Sequence, residues 1–471
     1  MQADDALRAL LQERLFAFVQ RGFYTLNLGQ TFQAEYHIRA LCYQLERVAR
    51  GEVKRLAVAM PPRHLKSHVG SVCFPAWLLG RKPETRIIGA SYETGLARTF
   101  SLHCRQLMQQ PWYRNAFSKT RLSAERNTAD EIRTTRNGYR LATSVGGPLT
   151  GKGGDVLIID DPMKAGEATS EANREAVKEW YRSTLSSRLD NPKGGAIILI
   201  AQRLHVDDLF GAVTDEDGWE ILDLPAIAVQ DEEISLTDRA SWTRVAGDVL
   251  DPERVGRAEL DQIKRELGSA LFEAQYQQRP AMPEGNLIQL DWFGTYGAAP
   301  ADHEFELIVQ SWDTASVPGE GNDYSVGTTW GIRGRSFYLL DVIRERVNYP
   351  DLRARVLQAQ QDHDADCVIV EEAGTGVSLF QDLRRDGHDW IRTLKPVGDK
   401  ESRAAHQSAK IERGMVLLPA EASWRRAFED EVAVFPHGKH DDQVDSMVQF
   451  LRATDARKPP FDRLSLHKSA D

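Results

Sequence analysis

The first half of the chain contains short runs that are apolar on both faces. These runs are RLAVAM (55–60), TRIIGASY (85–92), GDVLIIDD (154–161) and GGAIILIAQ (194–202). A strand that meets water on one side alternates apolar and polar residues, whereas a strand in a parallel sheet is covered by helices on both sides. Helical stretches separate the runs, so the pattern predicts an α/β domain built on a parallel sheet.

The second half indicates a mixed sheet. Three strand-like runs follow one another directly: ELIVQSWDTA (306–315), DYSVGTTWGI (323–332) and RSFYLLDVI (335–343). Helices then alternate with strands, and CVIVEEAG (367–374) is a strand-like run of that part. A chain of 471 residues is too long for one ordinary core. We expect a first domain over 1–250, a Pro-, Gly- and Gln-containing junction over 251–290, a second domain over 291–456 and a polar tail over 457–471.

Composition excludes some classes of protein. With 41% hydrophobic and 27% charged residues the chain reads as soluble and globular, and no apolar run is long enough to span a bilayer. The start of the chain, MQADDALRALLQERLFAFVQ, predicts an amphipathic helix and not a signal peptide. The four cysteines have no paired spacing, which argues against a zinc site or a disulfide framework and favours a reducing compartment.

The first candidate site follows the run RLAVAM. The loop PPRHLKS (61–67) leads from a strand to a helix, and such a loop holds phosphate with its backbone N–H groups and the helix dipole. Lys66 would reach the outer phosphates, Ser67 would ligate magnesium and Arg63 would touch a phosphate. Because Met60 and Leu65 stand where such loops usually carry glycine, a basic surface turn is the alternative.

Paired aspartates end the run VLIIDDP. A carboxylate at the carboxyl end of a buried strand lies where open α/β sheets bind ligands. Asp160 would bind magnesium, and Asp161 would orient the attacking water. The alternative is that one of them only caps a helix before Pro162. Gln202 and Arg203, at the end of the next apolar run, are candidates for sensing the γ-phosphate of the nucleotide.

The second candidate site is acidic. Asp313 and Glu371 each end an apolar strand, and HDDQVDSMVQFL (440–451) places Asp442 and Asp445 on one helix face. Clustered carboxylates repel one another unless cations neutralise their charge, so the set predicts bound magnesium or manganese. Two such ions suit phosphodiester cleavage in an RNase H-like fold. Asp323 is interpreted as a turn residue. Scattered surface acids are the alternative.

Taken in order, these motifs resemble the large subunits of tailed-phage terminases. The resemblance covers nearly the whole chain and rests on the run from Phe32 to Ser67, LTGKGGDVLIIDDP, EWYRSTLSSRLD, FEAQYQQRP, SWDTA, VEEAGTG and HDDQVDSM. It implies an N-terminal P-loop (ASCE-type) ATPase and a C-terminal RNase H-like nuclease that together pump viral double-stranded DNA into a procapsid and cut the concatemer. It also implies ATP and Mg²⁺ as cofactors.

The resemblance further implies partners and residue roles. The partners would be the portal protein of the procapsid, a small terminase subunit and other copies of this chain in a ring, in the host bacterial cytoplasm and transiently on the procapsid, with no membrane and no place in the mature virion. Gln33 would contact adenine, and Lys152 would act on a neighbouring subunit. Asp313, Glu371 and Asp442 would be the nuclease ligands, with Asp445 as the rival of Asp442.

This sequence departs from the family at two positions. Glycine is common where Leu65 stands, and glutamate is common where Asp161 stands. Because aspartate is one methylene shorter, Glu167 or Glu171 would take the role if Asp161 cannot reach the water. The net charge of −10 indicates either a local basic groove for DNA on an acidic body or no DNA binding at all; composition alone favours the second, and the motifs favour the first.

Two other functions remain open. One is a recombinase or resolvase-type nuclease with an accessory ATPase. The other is a degenerate prophage protein that docks to capsids and has an inactive motor.

Overall fold

A computed structural model represents the chain. It describes residues 2–33, 36–149, 151–214, 216–280, 287–314, 324–436, 438 and 440–455. Asp323 and the predicted tail lie outside the described residues.

The chain forms two compact units. The first comprises Met1–Lys264 and Ala270–Met282, and the second comprises Arg265–Ser269 and Pro283–Asp471. Much of the segment predicted as a junction is thus part of the first unit, and the predicted domain limits stay a prediction. No helix in the described ranges is long and apolar enough to cross a membrane.

The first unit opens with three helices. They are α1 (Gln2–Glu13), α2 (Leu15–Leu26) and α3 (Tyr36–Arg50). The apolar face of α2 buries Phe18, and that of α3 buries Leu41, both in the core that covers one face of the sheet. The amphipathic start predicted from the sequence is present as α1 and α2.

The main sheet of the first unit has eight strands. They are β1 (Arg55–Ala59), β2 (Arg86–Ser91), β3 (Leu122–Asn127), β4 (Glu131–Thr134), β5 (Tyr139–Ser144), β6 (Val156–Asp160), β7 (Ala196–Ala201) and β8 (Glu220–Asp223). Their order is β3-β4-β5-β2-β6-β7-β1-β8. In this spatial order, all neighbours from β5 through β2, β6, β7 and β1 to β8 pair in parallel. The strands β3 and β4 form an antiparallel edge next to β5. A separate hairpin consists of β9 (Glu232–Thr237) and β10 (Ala240–Arg244).

Both faces of this sheet are covered. Along β7, Ile198 and Ile200 join the core on one face, while Ile197 and Leu199 join the core on the other. All six residues of β7 are buried, as the doubly apolar run predicts. The helices that follow are α4 (Phe74–Arg81), α5 (Thr94–Gln109), α6 (Pro111–Ala116), α7 (Glu171–Glu179), α8 (Leu209–Thr214), α9 (Arg257–Leu267) and α10 (Ser269–Gln275).

The second unit contains a mixed sheet of seven strands. They are β11 (Gly294–Tyr296), β12 (Leu307–Asp313), β13 (Ser325–Arg333), β14 (Ser336–Glu345), β15 (Cys367–Glu371), β16 (Ile391–Leu394) and β17 (Val416–Pro419). Their order is β11-β17-β14-β13-β12-β15-β16. The three predicted consecutive strands β12, β13 and β14 pair antiparallel, and β15 pairs with β12 in parallel.

Five helices complete the second unit. They are α11 (Tyr349–Asp362), α12 (Gly374–Arg385), α13 (Lys400–Glu412), α14 (Arg425–Val434) and α15 (Asp442–Ala453). The aromatic rings of Trp330 on β13 and Phe450 on α15 stack in parallel with centroids 4.6 Å apart. This contact packs α15 on the sheet.

Candidate functional site

In the first unit, the loop after β1 contains two left-handed residues. Arg63 has φ of 65° and Leu65 has φ of 63°. Glycine reaches this region without the steric cost that a side chain brings, which explains why loops of this kind usually carry glycine at the position of Leu65. The chain becomes helical at Lys66, passes through a π-helical turn over His68–Cys73 and continues as α4.

The predicted phosphate-loop residues meet the paired aspartates. Ser67 Oγ donates to Asp160 Oδ1 at 3.0 Å, and Ser71 donates to the other oxygen of Asp160. Lys66 Nζ lies 3.3 Å from Asp161 Oδ2. The strand order explains the meeting, because only β7 separates β1 from β6 and the carboxyl ends of these parallel strands share one edge.

The carboxyl of Asp160 is buried at this edge of the sheet, and burial makes its negative charge costly. Asp160 is 1% exposed, and its burial raises the pKa of its carboxyl, with the neighbouring Asp161 raising it further. The guanidinium group of Arg140, also 1% exposed, donates to the carbonyl of Ser71 at 3.2 Å. Arg140 was not predicted from the sequence. A buried carboxylate next to a lysine and two hydroxyl groups suits a hydrated Mg²⁺ ion and the phosphates that accompany it.

Gln202 reaches the same edge. Its backbone N–H donates to Asp161 Oδ1 at 3.1 Å, and its side-chain oxygen is buried without a hydrogen-bond partner in the described part of the chain. Asp161 itself has φ of 44°, a left-handed conformation uncommon for a residue with a side chain. The side chain of Arg203 turns away and pairs with Asp208 at 3.1 Å.

The remaining candidates of the first unit lie apart from these contacts. Lys152 Nζ pairs with Glu131 Oε2 at 2.9 Å in the same chain. Arg63 is exposed, and Gln33 is half-buried. Glu167 lies in a short turn over Ala165–Glu167, and Glu171 begins α7.

In the second unit, the predicted acids line one cleft. Asp313 is the last residue of β12, Glu371 is the last residue of β15, and Asp442 and Asp445 lie in the first turn of α15. The cleft has a volume of about 250 Å³ and contains a further carboxylate, that of Asp441. Because β12 and β15 are adjacent and parallel, their carboxyl ends deliver both acids to one place.

Crowding of like charges marks the cleft. Burial, followed by the repulsion from Asp445, raises the pKa of Asp313 to about 8. Burial, followed by the repulsion from Glu431, raises the pKa of Asp442 to about 6. One oxygen of Asp442, Oδ2, is buried without a hydrogen-bond partner among the described residues. Burial and neighbouring carboxylates therefore disfavour the charged form of both acids, which a bound cation would favour.

Two basic residues of α13 enter the cleft, and neither was predicted. Lys400 Nζ lies 2.8 Å from Asp441 Oδ1 and 2.6 Å from Asp445 Oδ2. Arg403 lies 3.2 Å from Glu371 Oε1 and 3.4 Å from Asp445 Oδ1. Burial would lower the pKa of Lys400, but Asp445 and Asp441 outweigh it and raise that pKa. A run of polar residues at a helix start gives no sequence signal for this placement.

The donor set fits a hard divalent cation in its chemistry, since it consists of carboxylate oxygens. In the described part of the chain, however, no three His, Cys, Asp or Glu side chains are placed to hold a metal ion as they stand. Lys400 and Arg403 pair with three of the carboxylates, Glu371, Asp441 and Asp445. Asp313 and Asp442 have no ion pair among the described residues.

An aromatic and basic group borders the acids. Tyr324, which lines the cleft, lies under the guanidinium groups of Arg344 and Arg346, each 4.1 Å from the ring centroid. Arg344 also pairs with Glu431 at 3.3 Å. Arg346 is exposed and has no ion pair with any described residue.

Comparison with known proteins gives a match for part of the chain. Residues 310–453 match the family model described as the terminase RNaseH-like domain. These residues contain all the predicted acids of the second site. No curated protein sequence matches the chain.

Solved structures of one relative, the large terminase of a thermophilic bacteriophage, share the fold over most of both chains. Its complex with ADP has a TM-score of 0.54 at 13% identity, covering 88% of this chain and 98% of that one. A second crystal form has a TM-score of 0.55 at 12% identity, covering 90% and 99%. The complex with ATP-gamma-S has a TM-score of 0.50 at 13% identity, covering 88% and 98%.

These matches confirm the predicted fold class, in which a mostly parallel sheet precedes an RNase H-like mixed sheet. Residues 310–453 therefore match the terminase RNaseH-like domain, and the chain shares the fold of the large terminase of this thermophilic bacteriophage over most of its length.

Proposed function

We propose that this chain is a terminase large subunit that hydrolyses ATP to move viral double-stranded DNA into a procapsid and cuts concatemeric DNA. One observation carries the proposal. A single chain combines a lysine–serine loop that contacts strand-end aspartates with an acidic cleft inside a terminase RNaseH-like domain.

The proposed motor lies in the first unit. Lys66 would bind the outer phosphates, Ser67 and Asp160 would hold the magnesium ion, and Asp161 would orient the attacking water. The backbone N–H of Gln202 supports the role of Asp161, because it already fixes one carboxylate oxygen at 3.1 Å. The complexes of the thermophilic phage terminase with ADP and ATP-gamma-S support a nucleotide at this fold.

The proposed nuclease lies in the second unit. Asp313 and Glu371, with Asp442 or Asp445, would hold divalent cations against the phosphodiester to be cut. When bound, magnesium or manganese would supply a water of lowered pKa and would stabilise the leaving oxygen. The chain's own contribution is rigid placement, since two adjacent strand ends and one helix start fix the carboxylates.

The proposal extends to partners and location. Double-stranded DNA would contact the basic border of the cleft, where Arg346 has no carboxylate partner in the described ranges. Portal protein, a small terminase subunit and a ring of copies of this chain would complete the packaging machine in the host cytoplasm. Lys152 would act on a neighbouring subunit after release from Glu131. We propose 1–250 as the motor and 291–456 as the nuclease.

The test uses purified full-length protein. ATP turnover is measured with and without DNA and portal-bearing empty capsids, and plasmid cutting is measured with Mg²⁺ or Mn²⁺. DNA-stimulated turnover that rises further with capsids, together with metal-dependent cutting, supports the proposal. If plasmid cutting and ATP turnover do not change when capsids are added, the recombinase alternative is favoured. Absence of ATP turnover in soluble, folded protein favours the inactive capsid-docking alternative.

A further inference from the structure

The carboxylates of the cleft divide into two groups. Glu371, Asp441 and Asp445 have an ammonium or guanidinium group within ion-pair distance. Asp313 and Asp442 have none among the described residues, and one oxygen of Asp442 has no hydrogen-bond partner there. The protein therefore balances part of its own acidic cleft with cations that it carries itself.

The two internal cations differ in freedom. The side chain of Arg403 is 14% exposed and bridges two carboxylates, whereas that of Lys400 is 49% exposed and is carried by the first residue of α13. A lysine is a compact point charge on a flexible stem, whereas an arginine fork keeps a fixed geometry. Lys400 is therefore freer than Arg403 to leave the carboxylates.

Asp445 is the carboxylate that contacts both basic residues and that is also a candidate ligand of the divalent cation. One of its oxygens contacts Lys400 at 2.6 Å and the other contacts Arg403 at 3.4 Å. A divalent cation at Asp445 would lie close to the oxygen that Lys400 now contacts. The ammonium group and the cation would repel each other there, so contact with one opposes binding of the other.

We propose that Lys400 is a built-in competitor of the divalent cation at Asp445. This inference rests on the proposed nuclease function and adds its regulation. The ammonium group neutralises the cleft when metal is absent, and the cation must displace it before the site is complete. Swung outward, the same ammonium group is free to contact a DNA phosphate, which couples the binding of DNA to the binding of metal.

The experiment measures metal binding directly, by isothermal titration of full-length protein with Mn²⁺ in the absence of DNA and nucleotide. Every protein also carries Asp160→Asn, which removes the magnesium position proposed for the motor. Lys400→Met is compared with the parent. Lys400→Arg keeps the charge, and Arg385→Met removes an exposed charge that pairs with Asp382 outside the cleft.

Lys400→Met should bind Mn²⁺ about tenfold more tightly than the parent, because a competing charge is gone. Lys400→Arg and Arg385→Met should stay within about twofold of the parent, since the first keeps the competing charge and the second is screened. Thermal melting verifies that each variant folds. Equal or weaker binding by a folded Lys400→Met overturns the inference.

A further variant separates this inference from the proposed function. Asp313→Asn should bind Mn²⁺ far more weakly than the parent if the cleft is a metal site. If neither the parent nor Lys400→Met binds Mn²⁺, the metal site and the competitor are both wrong. If the parent binds and Asp313→Asn does not, but Lys400→Met equals the parent, only the competitor is wrong.

Discussion

The side-chain amide of Gln449 donates to the backbone carbonyl of Trp312, the residue before Asp313, at 3.2 Å. The same amide lies 3.3 Å from the carbonyl of Ile369, near the end of the strand that carries Glu371. Gln449 is on α15, the helix that begins at Asp442. One side chain thus ties together the three elements that carry the candidate metal ligands.

We expect Gln449→Leu to loosen this tie. The Mg²⁺ concentration that gives half-maximal plasmid cutting should rise several-fold, while the free energy of unfolding falls by about 1–2 kcal/mol. Metal titration of the cutting rate measures the first effect, and denaturant unfolding measures the second. Gln358→Leu is the matched control, because Gln358 bonds to Asp362 on the surface of α11. If Gln449→Leu lowers stability but leaves the metal dependence unchanged, Gln449 has a structural role only.

Strand ends were the part of the site that sequence could predict. Asp160, Asp313 and Glu371 each follow a run of apolar residues, and each is the last residue of its strand. Doubly apolar runs leave little choice of structure, and the carboxyl ends of parallel strands share an edge. The pattern therefore places an acid in a site before any contact is known.

Lys400 and Gln449, which also enter the site from helices, gave no such signal. Lys400 begins a polar helix and Gln449 lies in the middle of another, and only the packing of these helices on the sheet brings them to the cleft. Arg140 is a polar residue of β5, but it is buried and donates to Ser71 in the π-helical turn that follows the phosphate loop. The short strands β11, β16 and β17 were missed because three or four residues carry too little periodicity.

Replacement of Lys66 by alanine should abolish ATP hydrolysis and packaging, because its ammonium group is the only cation within ion-pair distance of Asp161 in the described ranges. Asp160→Ala should do the same through loss of the magnesium position. Plasmid cutting by either variant should survive. Lys54→Ala, which removes an exposed lysine just before β1, is the matched control. Normal ATP turnover by Lys66→Ala would remove the phosphate-loop interpretation.

Asp161→Asn tests which carboxylate orients the water. The asparagine oxygen can still accept from the backbone N–H of Gln202, so the shape of the site should persist while the charge is lost. We expect nucleotide affinity within a few-fold of the parent and much slower hydrolysis, measured by fluorescent-nucleotide binding and phosphate release. Equal hydrolysis rates for variant and parent would move the role to Glu167 or Glu171.

Binding of DNA should depend steeply on salt in spite of the net charge of −10. Each phosphate contact contributes about 0.9 to the slope of log K against log salt concentration. Arg346→Gln should reduce that slope by about one, since Arg346 has no carboxylate partner in the described ranges, whereas Arg385→Gln should not. Fluorescence anisotropy of a short duplex between about 50 and 200 mM salt measures the slope. A flat dependence in the parent would mean that this chain relies on a partner to hold DNA.

The acids of the cleft should matter for cutting and not for ATP turnover. Asp313, Glu371 and Asp442 come from two strand ends and a helix start, and burial together with mutual repulsion makes their joint charge costly without metal. Replacing any one of them with alanine should stop plasmid cutting, and Asp445→Ala should do the same because Asp445 is the main source of repulsion on Asp313. ATP hydrolysis should stay near the parent rate.

Chelator should reproduce the loss of cutting, and added Mg²⁺ or Mn²⁺ should restore cutting in the parent but not in the variants. Asp430→Ala is the matched control, because the Asp430 side chain is 76% exposed on α14 and lies outside the cleft. Relief of repulsion should make Asp313→Ala at least as stable as the parent, which separates a metal ligand from an acid that only supports the fold. A folded Asp313→Ala protein that still degrades plasmid in the presence of metal would contradict the proposed two-metal nuclease site.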